Sequence, residues 1–286
     1  MRTEKEMFDL ILSVAKADER VRAVVLNGSR ADPDAPRDIY QDFDIIYVVK
    51  DYDRFVADHR WIDVFGERLF LQMPEAMRYP SGEERFTWLM LLADGNRIDI
   101  TLIPIQKHEL IGHDSLSITL LDKDDRLPAF PPASSKDYHI QPPSELFFMS
   151  CCNNFWWCLQ NVAKGLARDE LPYAMLMYHN IVRIELHEMM NWYIGIRNRF
   201  SVSTGKMGKY YKRYLPIPLY KQYCGTYSGS TYDEIWRSIF VMCDLFHTLA
   251  ISVATHFRFM YRQNDEIGMR EYLNKVRNNE YDYNSI

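Results

Sequence analysis

The sequence has little of what marks a secreted or membrane protein. Its five cysteines are odd in number and form no Cys-x-x-Cys pair, so reduced and mostly buried thiols are expected. The first residues are charged and lack the apolar core of a signal peptide. No apolar stretch is expected to be long enough to span a bilayer. These absences favour a cytoplasmic protein.

An excess of basic residues is also missing. Lys and Arg number 34 against 39 Asp and Glu, which leaves a net charge of −5 and a pI of about 5.9. This balance argues against non-specific nucleic-acid binding, and it is compatible with a polycationic small substrate. Hydrophobic residues make up 47% of the 286 positions, so a full core is available for one large domain or two ordinary ones.

Several common catalytic motifs are absent as well. The chain has no P-loop and no Ser–His–Asp pattern with local support. His187-Glu188 begins like the helix motif of zinc proteases, but the second His of that motif is missing. The chemistry must therefore come from another constellation.

Hydrophobic periodicity divides the chain into two halves. The first half predicts a helix over residues 3–17, with Thr3 as N-cap before Glu6, a helical or irregular stretch over residues 52–65, and strands over residues 21–27, 42–49, 68–73, 87–93, 97–103 and 117–121. A Pro- and Ser-rich linker follows at residues 128–143, and helices are then predicted over residues 143–167, 173–194, 232–259 and 266–278. We expect an α/β domain at residues 1–135 and a helical domain at residues 136–286.

Two short motifs lie on consecutive predicted strands of the first half. Gly28-Ser29 follows the first strand, and Asp42 and Asp44 open the second. Residues two apart in a strand point to the same face, so the two carboxylates should project together and repel unless a cation lies between them. Their oxygen ligands suit Mg²⁺, and Gly28 with Ser29 suits a close approach to phosphate. Taken separately such motifs are commonly structural, but the combination favours a nucleotide triphosphate site.

A third acid, Asp99, lies in the second arm of a predicted hairpin. A lone Asp is disfavoured in a strand, so it needs a partner, a solvent-facing position or a metal. If its strand lies beside that of Asp42 and Asp44, three carboxylates converge. That arrangement predicts metal-assisted in-line attack on a nucleotide phosphorus, with Asp99 as metal ligand or as the base that takes a hydroxyl proton. A surface aspartate on an edge strand is the alternative.

These residues resemble a known family. Gly28-Ser29, then Asp42-x-Asp44, then Asp99 is the pattern of the polymerase-beta-type nucleotidyltransferase superfamily, and the chain resembles more closely the aminoglycoside 6-adenylyltransferase family, which modifies streptomycin. The shared stretches are residues 28–30, 41–45, 94–104 and 120–124 in the first half, and residues 151–153, 155–156, 164–168, 181–183, 205–206 and 212–215 in the second. The resemblance covers almost the whole chain.

The resemblance implies a fold, a reaction and a set of residues. It implies an α+β fold, with a mixed sheet and flanking helices followed by an all-α helical bundle that binds the acceptor. It implies ATP- and Mg²⁺-dependent transfer of AMP to a hydroxyl of an aminoglycoside, with release of pyrophosphate. Asp42 and Asp44 match the metal-binding pair, and Asp99 the third acid. Gly28, Ser29 and Arg30 match the turn that grips phosphate. Lys206, in a glycine-flanked loop, is expected to reach the triphosphate, whereas from the local sequence alone that loop is equally a solvated one.

The second half departs from the family at two positions. Family members commonly carry Glu where this chain has Asn154, and Asp where it has Leu176. Carboxylates there would pair with the cationic groups of a drug, so their loss puts streptomycin recognition in doubt. We therefore place Glu145, Asn154, Trp156 and Leu176 as candidate acceptor contacts, with Glu185 and Glu188 as further acids, although Glu on a helix surface is usually just solvated.

Three functions stay open at this point. The first is adenylyl transfer to a small, cationic, streptomycin-like molecule. The second is the same transfer to a different small acceptor, and the third is a nucleotide-binding module without turnover. Retention of all three acids disfavours the third, because idle carboxylates are costly to keep together. The sequence leaves open whether the protein is a monomer or a dimer.

Overall fold

The computed structural model describes residues 1–80 and 84–281. The chain divides into two compact units, Met1–Asp137 and Tyr138–Ile286. The first is a mixed sheet with helices and the second is helical, which confirms the predicted α+β class.

The first unit is built on a six-stranded sheet in the order β3-β4-β5-β2-β1-β6. The strands are β1 Val21–Asn27, β2 Phe43–Val49, β3 Arg68–Gln72, β4 Phe86–Leu92, β5 Arg97–Pro104 and β6 Ser117–Asp122. The pair β2–β5 is parallel, and the other neighbouring pairs are antiparallel. The predicted hairpin is therefore present as β4–β5, and its second arm lies directly beside β2.

Helix α1 (Glu4–Ala17) covers one face of this sheet. Thr3 and Glu6 form the predicted capping box, which satisfies backbone N–H groups at the helix start. Met7 and Ile11 are completely buried in the same core as β1 and β2. The Tyr47 hydroxyl of β2 donates to the Ile11 carbonyl at 2.6 Å, so the helix is tied to the strand that carries the acids. Helix α2 (Tyr52–Ala57) and a 3₁₀ turn (His59–Phe65) form the stretch predicted as helical or irregular.

The second unit is a helical bundle. Its helices are α3 Glu145–Ala167, α4 Leu171–Met177, α5 Arg183–Arg197, α6 Tyr211–Tyr214, α7 Ile217–Cys224, α8 Tyr232–Phe257 and α9 Gln263–Arg277. Its core contains the stacked pair of Phe155 on α3 and Phe246 on α8, whose ring centroids lie 3.7 Å apart. The thiols are free, and four of the five are buried, as predicted.

The bundle differs from the sequence prediction in one interrupted helix and in two additional short helices. The single helix expected over residues 173–194 is α4 and α5 joined by a π-helical segment, Tyr178–Val182. Its carboxyl end is held by buried Arg183, which donates to the hydroxyl and the carbonyl of Thr226. The short helices α6 and α7 were missed because prolines and few periodic residues surround them.

Helix α8 corrects one expectation about membranes. Among the described residues it is the helix that is long and apolar enough, by length and composition, to cross a bilayer, with a mean hydropathy of 1.6 over its best window. The expectation that no apolar stretch is long enough to span a bilayer is therefore wrong for this helix. Of that window 56% is buried inside the protein, as expected for the central helix of a bundle. Cytoplasmic location stays a prediction.

Candidate functional site

The sheet places Asp44 and Asp99 side by side. In the parallel β2–β5 ladder Asp44 is the direct partner of Asp99, and on its other side Asp44 is paired with Asn27 at the end of β1. Asp42 lies just before β2, two residues from Asp44. Because side chains alternate along a strand, Asp42 and Asp44 share the face on which Asp99 stands. The three acids therefore converge.

Arg97 bridges two of these acids. Its Nε and Nη2 atoms donate to the two carboxylate oxygens of Asp99 at 2.9 and 2.6 Å, and its Nη1 lies 3.2 Å from Asp42 Oδ2. The two-pronged contact with Asp99 is the geometry in which guanidinium binds carboxylate best. A positive charge thus already lies within the acid cluster.

Asp44 is the acid that Arg97 does not hold. In the part of the chain that the structure describes, its side chain has no hydrogen bond and no ion pair. Burial, followed by the charges of Asp99 and Asp42, raises the pKa of Asp44 to about 6, and Arg97 and Arg30 offset part of this rise. A partly buried carboxylate without a partner between two other carboxylates is a position that favours a cation.

The Gly28-Ser29 turn closes on Asp44. Gly28 begins a short 3₁₀ turn (Gly28–Arg30) with φ of +72°, a conformation that residues with a side chain rarely adopt. A Cβ atom on Gly28 would lie only 2.2 Å from Asp44 Oδ2. The absence of a side chain therefore lets the turn approach the carboxylate. Gln41 steadies the turn by donating to the Ser29 carbonyl at 3.2 Å.

Arg30 supports the acids from within the fold. Its guanidinium donates to the carbonyls of Asp42 and Gln41 at 3.0 and 2.8 Å and lies 3.1 Å from Glu4 Oε1. It also stacks on the Phe43 ring at 3.7 Å, and the residue is only 7% exposed. These contacts fix the backbone that carries Asp42.

The donor set suits a hard divalent cation. Carboxylate oxygens are the ligands that Mg²⁺ prefers, and the unpartnered Asp44 is an acceptor that a cation would satisfy. Within residues 1–80 and 84–281, no three His, Cys, Asp or Glu side chains are already placed to hold an ion. The Arg97 guanidinium contacts both Asp42 and Asp99, so it supplies positive charge where an ion would bind. The donor set fits a divalent cation, which would have to displace this guanidinium.

Lys206 lies in the helical unit, in a turn with unusual backbone geometry. Gly205, Met207 and Gly208 all have positive φ, and Lys206 is exposed with no side-chain partner in the described structure. The segment is thus a surface turn with an available cation.

The four predicted acceptor contacts lie on two helices, with Glu145, Asn154 and Trp156 on α3 and Leu176 on α4. Glu145 is exposed in the first turn of α3, and Leu176 is 60% exposed on α4. Asn154 donates to Glu185 Oε1 at 2.6 Å. Trp156 is 3% exposed and its indole N–H donates to Tyr261 at 3.0 Å, within a polar network that continues to Glu266.

Two residues of the site, Arg97 and Gln41, had no role predicted from the sequence. Arg97 and Asp99 lie two apart on one face of a strand, and this spacing was the available signal for their pairing. Gln41 carried no signal beyond its position next to Asp42.

A mixed sheet with two acids entering one strand, a third acid on the adjacent parallel strand, and a Gly-Ser turn packed against them defines a nucleotidyltransferase. The comparisons with known proteins go further. The model of the streptomycin adenylyltransferase family matches residues 1–276, and the chain belongs to that family. The resemblance predicted from the sequence is thereby confirmed.

Two relatives with known names agree with this assignment, and one solved structure is also similar. The chain is 42% identical over 268 residues to an aminoglycoside 6-adenylyltransferase of Campylobacter jejuni, covering 93% of each chain. It is 38% identical over 280 residues to an aminoglycoside 6-adenylyltransferase of Bacillus subtilis strain 168, covering 96% of this chain and 98% of the relative. A crystal structure of an aminoglycoside 6-adenyltransferase from Bacillus subtilis matches 96% of this chain and 99% of its own at 34% identity, with a TM-score of 0.48.

Proposed function

We propose that this enzyme transfers AMP from ATP to a hydroxyl of an aminoglycoside of the streptomycin type and releases pyrophosphate. One observation carries the proposal. Asp44, whose carboxylate has no partner in the described structure, lies beside Asp99 on the adjacent strand and against the Gly28 turn. Membership of the streptomycin adenylyltransferase family and relatives named as aminoglycoside adenylyltransferases support the acceptor class.

Asp42, Asp44 and Asp99 are proposed to hold Mg²⁺ together with the triphosphate. The bound ion would neutralise charge on the attacking and leaving oxygens. Asp44 contributes a carboxylate that no other group satisfies, and its pKa near 6 leaves it mostly ionised at neutral pH. Asp42 and Asp99 become available when Arg97 turns away.

In the transfer, the acceptor oxygen attacks the α-phosphorus of ATP. The bond to the bridging oxygen breaks, pyrophosphate leaves with the electron pair, and the hydroxyl proton passes to a base. Asp99 is the proposed base or, alternatively, a metal ligand only. As a base it must first lose the two hydrogen bonds that it accepts from Arg97, because both of its oxygens are engaged.

The remaining nucleotide contacts divide into support and direct binding. Gly28 and Ser29 are proposed to lie against the phosphates, and Lys206 to pair with them. Arg30 is proposed to act indirectly, since its donors are committed to the backbone of Gln41 and Asp42.

A different small acceptor is the second candidate, and two positions favour it. Asn154 and Leu176 lack the carboxylates common in the family, and Leu176 is 60% exposed. A charge-assisted hydrogen bond contributes roughly 1.5–3 kcal/mol, so the loss of one lowers the affinity for a cationic acceptor by an order of magnitude or more.

The test measures pyrophosphate release from ATP and Mg²⁺ with each member of a panel of aminoglycosides, and mass spectrometry gives the mass of the product. Wild-type protein should add one adenylyl group to a streptomycin-type acceptor, and Asp42→Asn should not. Turnover with another small hydroxylated molecule only would favour the second candidate. ATP binding without turnover on any acceptor would refute the enzymatic proposal.

A further inference from the structure

The helical unit contains a cavity of about 510 Å³ that the nucleotide site does not use. It lies between the segment that precedes α3, the first turn of α3, the middle of α5 and the loop that follows α5. Its walls include Tyr138, Phe147, Glu188, Asn191, Trp192 and Thr204. The volume is in the range of sites that take drug-sized ligands.

Glu188 provides the negative charge of this cavity. Its carboxylate has no hydrogen bond and no ion pair among the described residues, although it lies one helical turn from Glu185. Glu185 is engaged, because it accepts from the Asn154 amide at 2.6 Å. Glu188 is exposed to solvent at the cavity, and desolvation by its surroundings together with the charge of Glu185 raises its pKa. The two carboxylates therefore repel each other. A cationic ligand group would relieve that repulsion.

Asn191 provides an oriented amide three residues further along the same helix. Its Oδ1 atom accepts from the Thr204 hydroxyl at 2.9 Å and from the Tyr211 hydroxyl at 3.1 Å. These two bonds fix the amide, and its NH₂ group has no partner in the described structure. That group is left to donate to a ligand oxygen.

Aromatic side chains form the apolar wall. Phe147 is 69% exposed and Tyr138 is 50% exposed, whereas Trp192 is buried. Exposed aromatic faces beside a carboxylate suit a molecule with apolar ring faces, hydroxyls and a positive charge.

We propose that this cavity binds the cationic sugar acceptor, with Glu188 paired to a guanidinium or ammonium group, Asn191 bound to a hydroxyl, and Phe147 stacked on a sugar ring. This proposal rests on the proposed function, and it replaces the acceptor contacts predicted from the sequence. It also explains how the chain recognises a cation without acids at positions 154 and 176, because α5 supplies the carboxylate.

Calorimetric titration of streptomycin into the protein tests the proposal, with and without a non-hydrolysable ATP analogue and Mg²⁺. Glu188→Gln should weaken binding at least about tenfold, since a charge-assisted hydrogen bond is lost, while Phe147→Ala should weaken it several-fold. Glu170→Gln is the matched control. It removes the same charge from an exposed position of the same unit that does not line this cavity, and it should leave the affinity within about twofold.

Two further measurements keep the outcomes distinct. Circular dichroism checks that each variant is folded, and the KM for ATP should be the same in all of them. If streptomycin does not bind wild type, or if Glu188→Gln binds it as tightly as wild type, the proposal is overturned. Unchanged acceptor KM in Glu188→Gln with normal wild-type turnover would refute this cavity and leave the adenylyltransferase function standing. A wild type without turnover on any acceptor would instead refute the function.

Discussion

Arg97→Gln is the substitution that tests the acid cluster most directly. Arg97 makes three contacts of 2.6 to 3.2 Å with Asp99 and Asp42, and its side chain is 43% exposed while that of Asp99 is 14% exposed. Exposed ion pairs contribute at most about 1 kcal/mol, and the more buried half of this one contributes somewhat more. We therefore expect Arg97→Gln to lower the stability of the metal-free protein by about 1–2 kcal/mol.

The same substitution should strengthen Mg²⁺ binding. Without the guanidinium, the ion no longer competes for Asp42 and Asp99, and a gain of about 1.4 kcal/mol corresponds to tenfold tighter binding. Thermal unfolding is measured over a Mg²⁺ titration without nucleotide, where the rise in Tm reports binding to the native state. The expected result is a lower Tm without metal and a larger rise with it.

Arg60→Gln is the matched control for this experiment. Arg60 pairs with Asp58 at 2.7 Å in the same unit but lies on the surface, 85% exposed. It changes the net charge equally, so its response to Mg²⁺ should equal that of wild type. If Arg97→Gln bound Mg²⁺ more weakly than this control, Arg97 would support the metal site rather than compete for it, and the reasoning would be refuted.

Four further predictions follow from the same contacts. The pKa of Asp44 is raised from 3.8 to about 6, so the folded state binds a proton more tightly than the unfolded state and metal-free stability should rise as pH falls from 7 towards 4. Asp44→Asn should abolish this dependence in urea unfolding, stabilise the protein at pH 7 and end transfer; a less stable variant at pH 7 would contradict the assignment. Asp99→Asn should cut turnover about 10²-fold or more. In calorimetry the variant should keep its affinity for ATP–Mg²⁺ if Asp99 is the base and lose it if Asp99 is a metal ligand. Unchanged kinetics would exclude both roles. Gly28→Ala should cost about 1–2 kcal/mol in backbone strain and displace the Asp44 carboxylate. Turnover should fall at least tenfold while circular dichroism stays normal. Near wild-type turnover would show that the turn tolerates a side chain. If the acceptor binds in the Glu188 cavity, Asn154→Glu with Leu176→Asp should change neither the KM for streptomycin nor the KM for ATP. A lower KM for streptomycin alone would show that positions 154 and 176 contact the acceptor.

The sequence indicates the acid cluster because strand geometry is simple. A period of two residues is enough to put Asp42 with Asp44, and Arg97 with Asp99, on common faces. Alternation does not reveal which strands are neighbours, so the direct pairing of Asp44 with Asp99 depends on β5 lying parallel to β2. The role of Arg30 is equally non-local, because its partners lie 11 and 12 residues away across a loop.

Spacing along a helix places side chains on a common face less simply than spacing along a strand does. Successive residues in an α-helix are rotated by about 100°, so Asn154 and Trp156, two apart, point about 200° apart. One accordingly meets Glu185 on α5 and the other meets Tyr261. Glu188 and Asn191 are three apart and share a face, as helical neighbours do. A family motif along α3 does not reveal the shared face of Glu188 and Asn191, because which side chains of α5 face α3 depends on how the two helices pack.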